Sequence, residues 1–368
     1  MTPDKAFECA AVVACVRILA DTVASLPLKV YRKLPNGGKE TAVDHPLYGL
    51  LASSPNDEYT SFEWRERLMV DACVWGNHYS QLVMDGKEVV REMWPLDASR
   101  MRVVRRTKDG PKVYEYGEGN REFRPDEILH VSILGDGLKG KSLIDVCKET
   151  IGLTMSAEEF AARFFANDAS PRLVFEMDSG NAAAVKEMSA AWKEAHKGVE
   201  NSHLPAWLWG GMKAKLLESD LSKLQLAEVR RFQLEEIARI FRVPLHLIQS
   251  LDRATNNNIE HQGIDFVVHS IRPWLVRIEQ RLQKSLFGTR ESLTYFPEFN
   301  VDGLQRGDFA ARTTGYARMI ASGMMTPNEG RSLENMNPQE GGDQLYIQGA
   351  MVPLQMAGQQ PQAQQPAA

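Results

Sequence analysis

The strongest periodic signal in the chain lies between residues 259 and 287. Apolar side chains recur there at Ile264, Val267, Ile271, Leu275, Ile278, Leu282 and Leu286. Steps of three and four place them on one face of a helix. Pro273 falls inside this stripe. A proline removes one backbone hydrogen bond and crowds the preceding turn, so the helix is expected to kink there. A second stripe, Ile144, Cys147, Ile151, Thr154, Ala157, Ala161 and Phe164, predicts a helix over 142–167. A third helix is predicted over 220–242, roughly 35 Å long at the usual rise. It should stop at Val243-Pro244, because a residue before proline leaves the helical region.

The pattern before residue 130 is different. Residues 8–26 are apolar enough for a buried helix, and LPLKVYRK (26–33) alternates like a strand. PNGG at 35–38 signals a turn, and 61–74 reads as another helix. HYSQLVMDGKEVVREMWPL (78–96) predicts a hairpin turning at Asp85-Gly86. MRVVRRTKDGPKVYEY (101–116) predicts a second, turning at Asp109-Gly110. The N-terminal third is therefore an α+β lobe with antiparallel strands. Residues 168–219 read as a mixed segment, with a helix over 182–198 and strands RLVFEM and LPAWLW. LTYFPEF predicts a strand, 306–322 a helix and MTPNEGRSLENM a short last helix. The end, QMAGQQPQAQQPAA, is low-complexity and expected to be disordered.

Composition changes this picture little, but charge narrows it. The 368 residues carry a formal net charge of −5. A chain that grips nucleic acid by its phosphates carries a clear excess of Lys and Arg, so tight phosphate-driven binding is not expected. Cys9, Cys15, Cys73 and Cys147 sit in apolar surroundings without C-x-x-C spacing, and read as reduced core residues. No apolar run is long enough to span a bilayer, and the first residues lack a basic start and an apolar signal core.

One stretch suggests chemistry. GDGLKGKS, Gly135 to Ser142, fits G-x-x-x-x-G-K-[ST] between the apolar run Ile128–Leu134 and the predicted helix. A nucleotide enzyme of that kind also needs a second strand ending in a magnesium-binding Asp, and the best candidate, Asp178, follows a weak strand. It needs a parallel sheet as well, whereas the preceding segments are hairpins. Glycines at a strand–turn–helix corner, with an exposed Lys141 and Ser142 as N-cap, account for the same residues. His246, His261 and His269 have no metal-site spacing; the last two stand about 12 Å apart on a helix. Arg100, Arg102, Arg105 and Arg106 form a basic hairpin patch. The polar loop LDRATNNN leaves two readings open: a turn built from asparagine, or a surface that brushes a charged polymer.

Several stretches resemble the portal proteins of tailed bacteriophages of the HK97 type. They are VVACVRILADTVASLPLKVYRK, DHPLYGLLASSPN, WGNHYSQLV, ILHVSILGDGLKGKSLIDV, EEFAARFFANDASP, EIARIFRVPLHLI and GMMTPNEGRSLENMNPQEGGDQLY. Their order covers about residues 10 to 354. The resemblance implies an elongated α+β subunit of a ring, typically of twelve copies, at one capsid vertex. It implies a wing over 1–141 with a return strand over 288–305, and a stem from helices 142–167 and 220–243. A small α/β clip (168–219) would meet the terminase large subunit and the head–tail connector. A tunnel loop over 244–258 would carry Asp252, Arg253, Thr255, Asn256, Asn257 and Asn258 toward DNA. The kinked helix 259–287, with Pro273, would lead to a helical crown (306–354) and a disordered tail (355–368). Double-stranded DNA would pass non-specifically, the major capsid protein would surround the ring, and neither cofactor, metal nor membrane is implied. Such proteins usually have more than the ten or so residues that stand here before VVACVRIL. Their glycine-rich turn leads from wing to stem, and the nucleotide is hydrolysed by the terminase. The protein would reside in the virion, after assembly in the host cytoplasm.

Twelve copies would carry about −60 in all at neutral pH. A channel wall of that sign repels phosphates and lets DNA slide. The competing readings are a P-loop ATPase using Gly135–Ser142 and a monomeric binding scaffold.

Overall fold

The structure is a computed structural model. It describes the chain except residues 1, 36, 119–120, 167–171, 177–185, 188, 192–193, 195–212, 218–220, 249–262, 302–308, 335 and 348–368. The chain divides into two units, Met1–Asn300 and Val301–Ala368.

In the first unit, α1 (Pro3–Ala6) and α2 (Ala10–Ser25) lead into β1 (Leu28–Lys33) and β2 (Lys39–Thr41). α3 (Pro46–Ala52) and α4 (Ser61–Trp75) follow, then β3 (Asn77–Met84), β4 (Val90–Leu96), β5 (Met101–Arg105), β6 (Lys112–Tyr116), β7 (Arg121–Phe123) and β8 (Ile128–Ser132). Next come α5 (Leu143–Val146), α6 (Lys148–Ala166), β9 (Arg172–Glu176), β10 (Lys213–Leu217) and α7 (Leu221–Phe241). A π turn (Phe266–Ile271) opens α8 (Arg272–Leu286), and β11 (Tyr295–Phe299) closes the unit. The sheets run β11-β1-β2, β4-β3-β8, β5-β6-β7 and β10-β9. Every strand pair among the described residues is antiparallel.

Helix α4 shows how local sequence sets this lobe. Thr60 and Glu63 form a capping box, satisfying two backbone donors reciprocally, and Gly76 ends the helix at φ 73°. Its inner face buries Trp64, Leu68, Met69, Ala72 and Cys73 against α2, which contributes Val12, Cys15, Val16, Leu19 and Val23. Arg65 lies in the same core. Its guanidinium donates to the Ala24 carbonyl at 2.8 and 3.1 Å and to the Leu51 carbonyl at 3.3 Å. Helices leave their last carbonyls without partners. Arg65 therefore caps α2 and α3 from inside the core, and burial lowers its pKa to about 10.

Both predicted hairpins form, as β3–β4 and β5–β6. The first turns differently from expectation. Asp85 accepts from the Lys87 and Val89 amides, and the left-handed residue is Glu88 at φ 61°, not Gly86. The helix predicted over 142–167 is broken at Cys147, between α5 and α6. The buried stripe survives the break: Ile144, Cys147, Ile151 and Thr154 are all buried. In the long stripe after 259, Val267 through Leu286 are buried but Ile264 is 60% exposed. β10 lies at Lys213–Leu217 and pairs with β9. LPAWLW, most of the predicted helix over 182–198 and the low-complexity end lie outside the described residues.

The second unit holds α9 (Phe309–Ala321) and α10 (Pro327–Leu333). Thr326 and Glu329 form a second capping box. Buried Asn328 donates to the Gln339 carbonyl and to Asp343, both at 2.9 Å, and accepts from the Gln339 amide at 2.8 Å.

Candidate functional site

The glycine-rich stretch is a corner joining β8 to α5. Five of its amides are already occupied. Asp136 Oδ1 accepts from the Leu138 and Lys139 amides at 2.9 and 3.1 Å. The Asp136 amide donates to the Lys139 carbonyl at 3.2 Å, and the Lys141 amide to the Ile133 carbonyl at 3.0 Å. Asn77 Oδ1 accepts from the Gly140 amide at 2.6 Å. A phosphate-cradling loop needs such amides free and convergent. Here they close the loop on itself, and the strand before it, β8, is antiparallel to β3. The P-loop reading is therefore corrected. Gly140 is required for packing: a β-carbon there would lie 2.0 Å from the Gly76 carbonyl oxygen and 2.6 Å from that of Ile133. Ser142 caps α5, its hydroxyl accepting from the Asp145 amide at 3.1 Å. Lys141 is exposed.

Asn77 is the hub of this corner. Its amide group donates to the carbonyls of Trp75 (2.9 Å) and Gly140 (3.1 Å). Its oxygen also accepts from His130 Nε2 at 3.0 Å. His130 Nδ1 then receives the Tyr114 hydroxyl at 3.3 Å, and the ring stacks on Tyr79 at 4.6 Å. That tautomer requires a neutral ring. Burial, followed by the nearby Lys112 and Arg281, pushes the His130 pKa down to about 3.

A second buried network was not visible in the sequence. Asp71 Oδ2 lies 2.9 Å from His78 Nδ1, and His78 Nε2 lies 2.8 Å from Ser80 Oγ. This is the wiring of an acid–base–nucleophile triad. Ser80 and His78 are both 0% exposed, however, and Ser80 Oγ also accepts from Trp64 Nε1 at 3.0 Å. The hydroxyl has no face open to a substrate, so the network joins α4 to β3. Only the Arg67–Asp71 bond, 2.8 Å, reaches outward. Seven residues separate Asp71 from His78, across a helix end and a strand start, and no motif carries that geometry.

Of the residues expected to face DNA, Asp252, Arg253, Thr255, Asn256, Asn257 and Asn258 lie outside the described residues. Pro273 is exposed at the start of α8, directly after the π turn. Ser270, on that turn, donates to the Arg242 carbonyl at 2.6 Å, and Arg242 ends α7 at φ 57°. His269 is exposed, His246 is partly buried, and His261 is outside the described residues. Among the described residues no group of three or more His, Cys, Asp or Glu converges as a metal site. In the arginine patch, Arg102 reaches Glu115 at 3.8 Å, Arg106 pairs with Glu122 and Arg100 lies over Tyr116. The cysteines are free and buried. Burial raises the pKa values of Cys15 and Cys73 to about 12.

The helix pair α6–α7 carries the other unusual surface. Ile151, Thr154, Gln233, Ile237 and Phe241 are buried within the unit. Leu153 and Phe160, seven apart on α6, are 60% and 58% exposed, and Val229 and Phe232 are 44% and 59% exposed on α7. Arg230 and Glu158 link the two helices at 3.9 Å.

A profile of the phage portal protein family matches residues 10–335. The chain belongs to that family. It is 31% identical over 356 residues to a probable portal protein of Streptomyces phage phiC31, covering 92% of this chain and 77% of that one. It is 30% identical over 348 residues to the portal protein of Enterobacteria phage HK97, covering 92% and 81%. The fold is similar to a chain from the neck of an empty gene transfer agent particle, computed with C6 symmetry. That match has a TM-score of 0.67 at 25% identity and covers 90% and 91% of the two chains. An HK97-family phage portal protein from Corynebacterium diphtheriae shares the fold, with a TM-score of 0.59 at 16% identity over 83% and 98%. This portal-family chain thus has a mixed helical and antiparallel-sheet fold, as its sequence implied.

Proposed function

We propose that this chain is one subunit of a closed ring, typically of twelve copies, forming a DNA channel at one vertex of a phage capsid. The observation that carries the reading is the exposed apolar surface of Leu153 and Phe160 on α6 with Val229 and Phe232 on α7. Leu153 and Phe160 stand about 10 Å apart along α6. Among the described residues this apolar face is exposed to solvent, and a neighbour in a ring covers it. The two helices are the stem of the portal subunit. Residues 1–141, with the return strand over 288–305, are its wing, and 168–219 its clip. Residues 306–354 are its crown.

In this reading double-stranded DNA passes through the ring during packaging and ejection without sequence-specific contacts. The terminase large subunit and later the head–tail connector dock on the clip, and the major capsid protein surrounds the wing. The ring assembles in the host cytoplasm and stays in the virion. The chain shapes a passage and performs no covalent chemistry. The π turn together with Pro273 supplies the bend between the tunnel loop and the wing. Asp252, Arg253, Thr255 and Asn256–Asn258 would face the DNA without holding its phosphates.

The test is Leu153→Glu with Phe160→Glu. Native mass measurement should show loss of the ring and a folded single chain. Wild-type ring formation by this double variant contradicts the reading. For the loop, Lys at 252 and 256–258 should slow packaging or ejection several-fold, and unchanged rates would remove the assignment.

A further inference from the structure

A cleft of about 500 Å³ runs along α8 at the end of β8, lined by Ser132, Arg277, Gln280, Arg281 and Lys284. Lys112 of β6 stands behind it and donates to the Leu138 carbonyl at 2.9 Å. Arg281, Arg105 and Lys284 all press positive charge on Lys112, and Asp136 is the carboxylate acting on it. Arg277 lies over Trp274 at 5.4 Å and has Arg242 as a like-charged neighbour. Burial, then these cations, hold the Lys112 pKa below its ordinary value, and burial does the same for Arg277. Among the described residues, Arg277, Arg281 and Lys284 form no ion pair. The inner face of α8, with Leu275, Ile278 and Leu282, is fully engaged in the core.

A concentration of unpaired cations in a concave, partly buried place raises the free energy of the isolated subunit. An oxyanion relieves it, because guanidinium forks bind carboxylate in a fixed geometry. We propose that this cleft receives a carboxylate-bearing segment of a second copy of the chain. The inference rests on the ring reading. It is supported by the chain's own charge: 48 acidic residues against 43 basic ones. With the cations gathered here, the surplus of carboxylates lies on the rest of the surface, including the exposed Asp57 and Glu58. A ring places the same surface of its neighbour at every cleft. Duplex DNA is a poorer occupant. Its phosphates follow a broad convex cylinder and favour an extended basic face on a protein of positive charge.

The ring reading is tested first, on the wild type alone, by native mass in low salt. A wild type that stays a single chain at all concentrations overturns that reading and this inference together. Given wild-type rings, two arms test the cleft. A zero-length carbodiimide applied to rings mixed from light and heavy isotope-labelled chains should couple Lys284 or Lys112 to an Asp or Glu of the other label. This arm needs no substitution, and a ring without any such intermolecular link from either lysine contradicts the proposal. In the second arm, Arg281→Glu/Lys284→Glu should lower the ring fraction at least tenfold at 0.1 M salt. Arg281→Gln/Lys284→Gln should lower it less, with far-ultraviolet circular dichroism unchanged in both. Wild-type ring fractions in both variants overturn the proposal. So does a wild-type ring that binds a duplex oligonucleotide through these residues while the variants assemble normally.

Discussion

Replacing Gly140 by Ala and Lys141 by Ala separates two uses of the same eight residues. If the stretch bound phosphate, Lys141 would matter most and would do so only with nucleotide present. In the corner described above, Gly140 matters most and nucleotide is irrelevant. A β-carbon at 140 meets only backbone: the Gly76 oxygen at 2.0 Å, the Ile133 oxygen at 2.6 Å and the Ile133 nitrogen at 2.9 Å. No side chain can swing aside, so the corner must open. Opening it disturbs the bonds of Gly140 to Asn77 at 2.6 and 3.1 Å. It also disturbs the Ile133 amide bond to Gly76 and the Lys141 amide bond to Ile133, each 3.0 Å. At about 1 kcal/mol net for each bond, the loss is about 4 kcal/mol. Lys141 is exposed, and its removal should change stability by about 0.5 kcal/mol at most. Urea unfolding followed by tryptophan fluorescence reads both, and the midpoint of the Gly140→Ala variant should fall by about 2 M for a slope of about 2 kcal/mol per molar. Adding ATP and magnesium should leave every midpoint unchanged. A stable Gly140→Ala protein, or a wild type that ATP stabilises through Lys141, would refute the reasoning.

Two further expectations concern the buried polar groups. Because His130 has its pKa lowered to about 3 when folded, against about 6.5 unfolded, the folded state excludes a proton that the unfolded chain binds. The resulting stability is full above about pH 6.5 and falls with acidification by about 1.4 kcal/mol per pH unit down to about pH 3. Between pH 8 and pH 5 the wild type should lose about 2 kcal/mol more than His130→Gln; equal pH dependence in the two proteins counts against the network. Arg65→Met should lower stability by about 2 kcal/mol, since the Ala24 carbonyl loses its two guanidinium donors inside the core, and an unchanged urea midpoint would show that water reaches that carbonyl.

The sequence was most informative where a period of three to four or of two ran uninterrupted. The stripe of α8 and both hairpins were legible because burial imposes those periods directly. Turn geometry was less so: Asp85 forms its loop with its own carboxylate, so the strained residue falls at Glu88 and the glycine is left in an ordinary conformation. The break at Cys147 was hidden because the buried stripe continues across it, the same face being kept by two helices in succession. Short strands such as β2 and β7, three residues each, leave no period at all. The polar hubs were invisible for a different reason. Asn77 meets Gly140 across 63 positions, and Arg65 meets Ala24 across 41. Side-chain pairing at such separations is a product of the fold, and no local spacing announces it. The family resemblance carried what periodicity could not, the membership of the phage portal protein family.

The central claim is that identical copies of this chain close into a ring around an open passage. Direct imaging of the purified full-length protein by electron microscopy tests it. End-on views should show a closed ring with an open centre and rotational symmetry, typically twelvefold, with a particle mass of about 0.5 MDa. Compact particles of a single 41.3 kDa chain, with no central opening at any concentration, would contradict it.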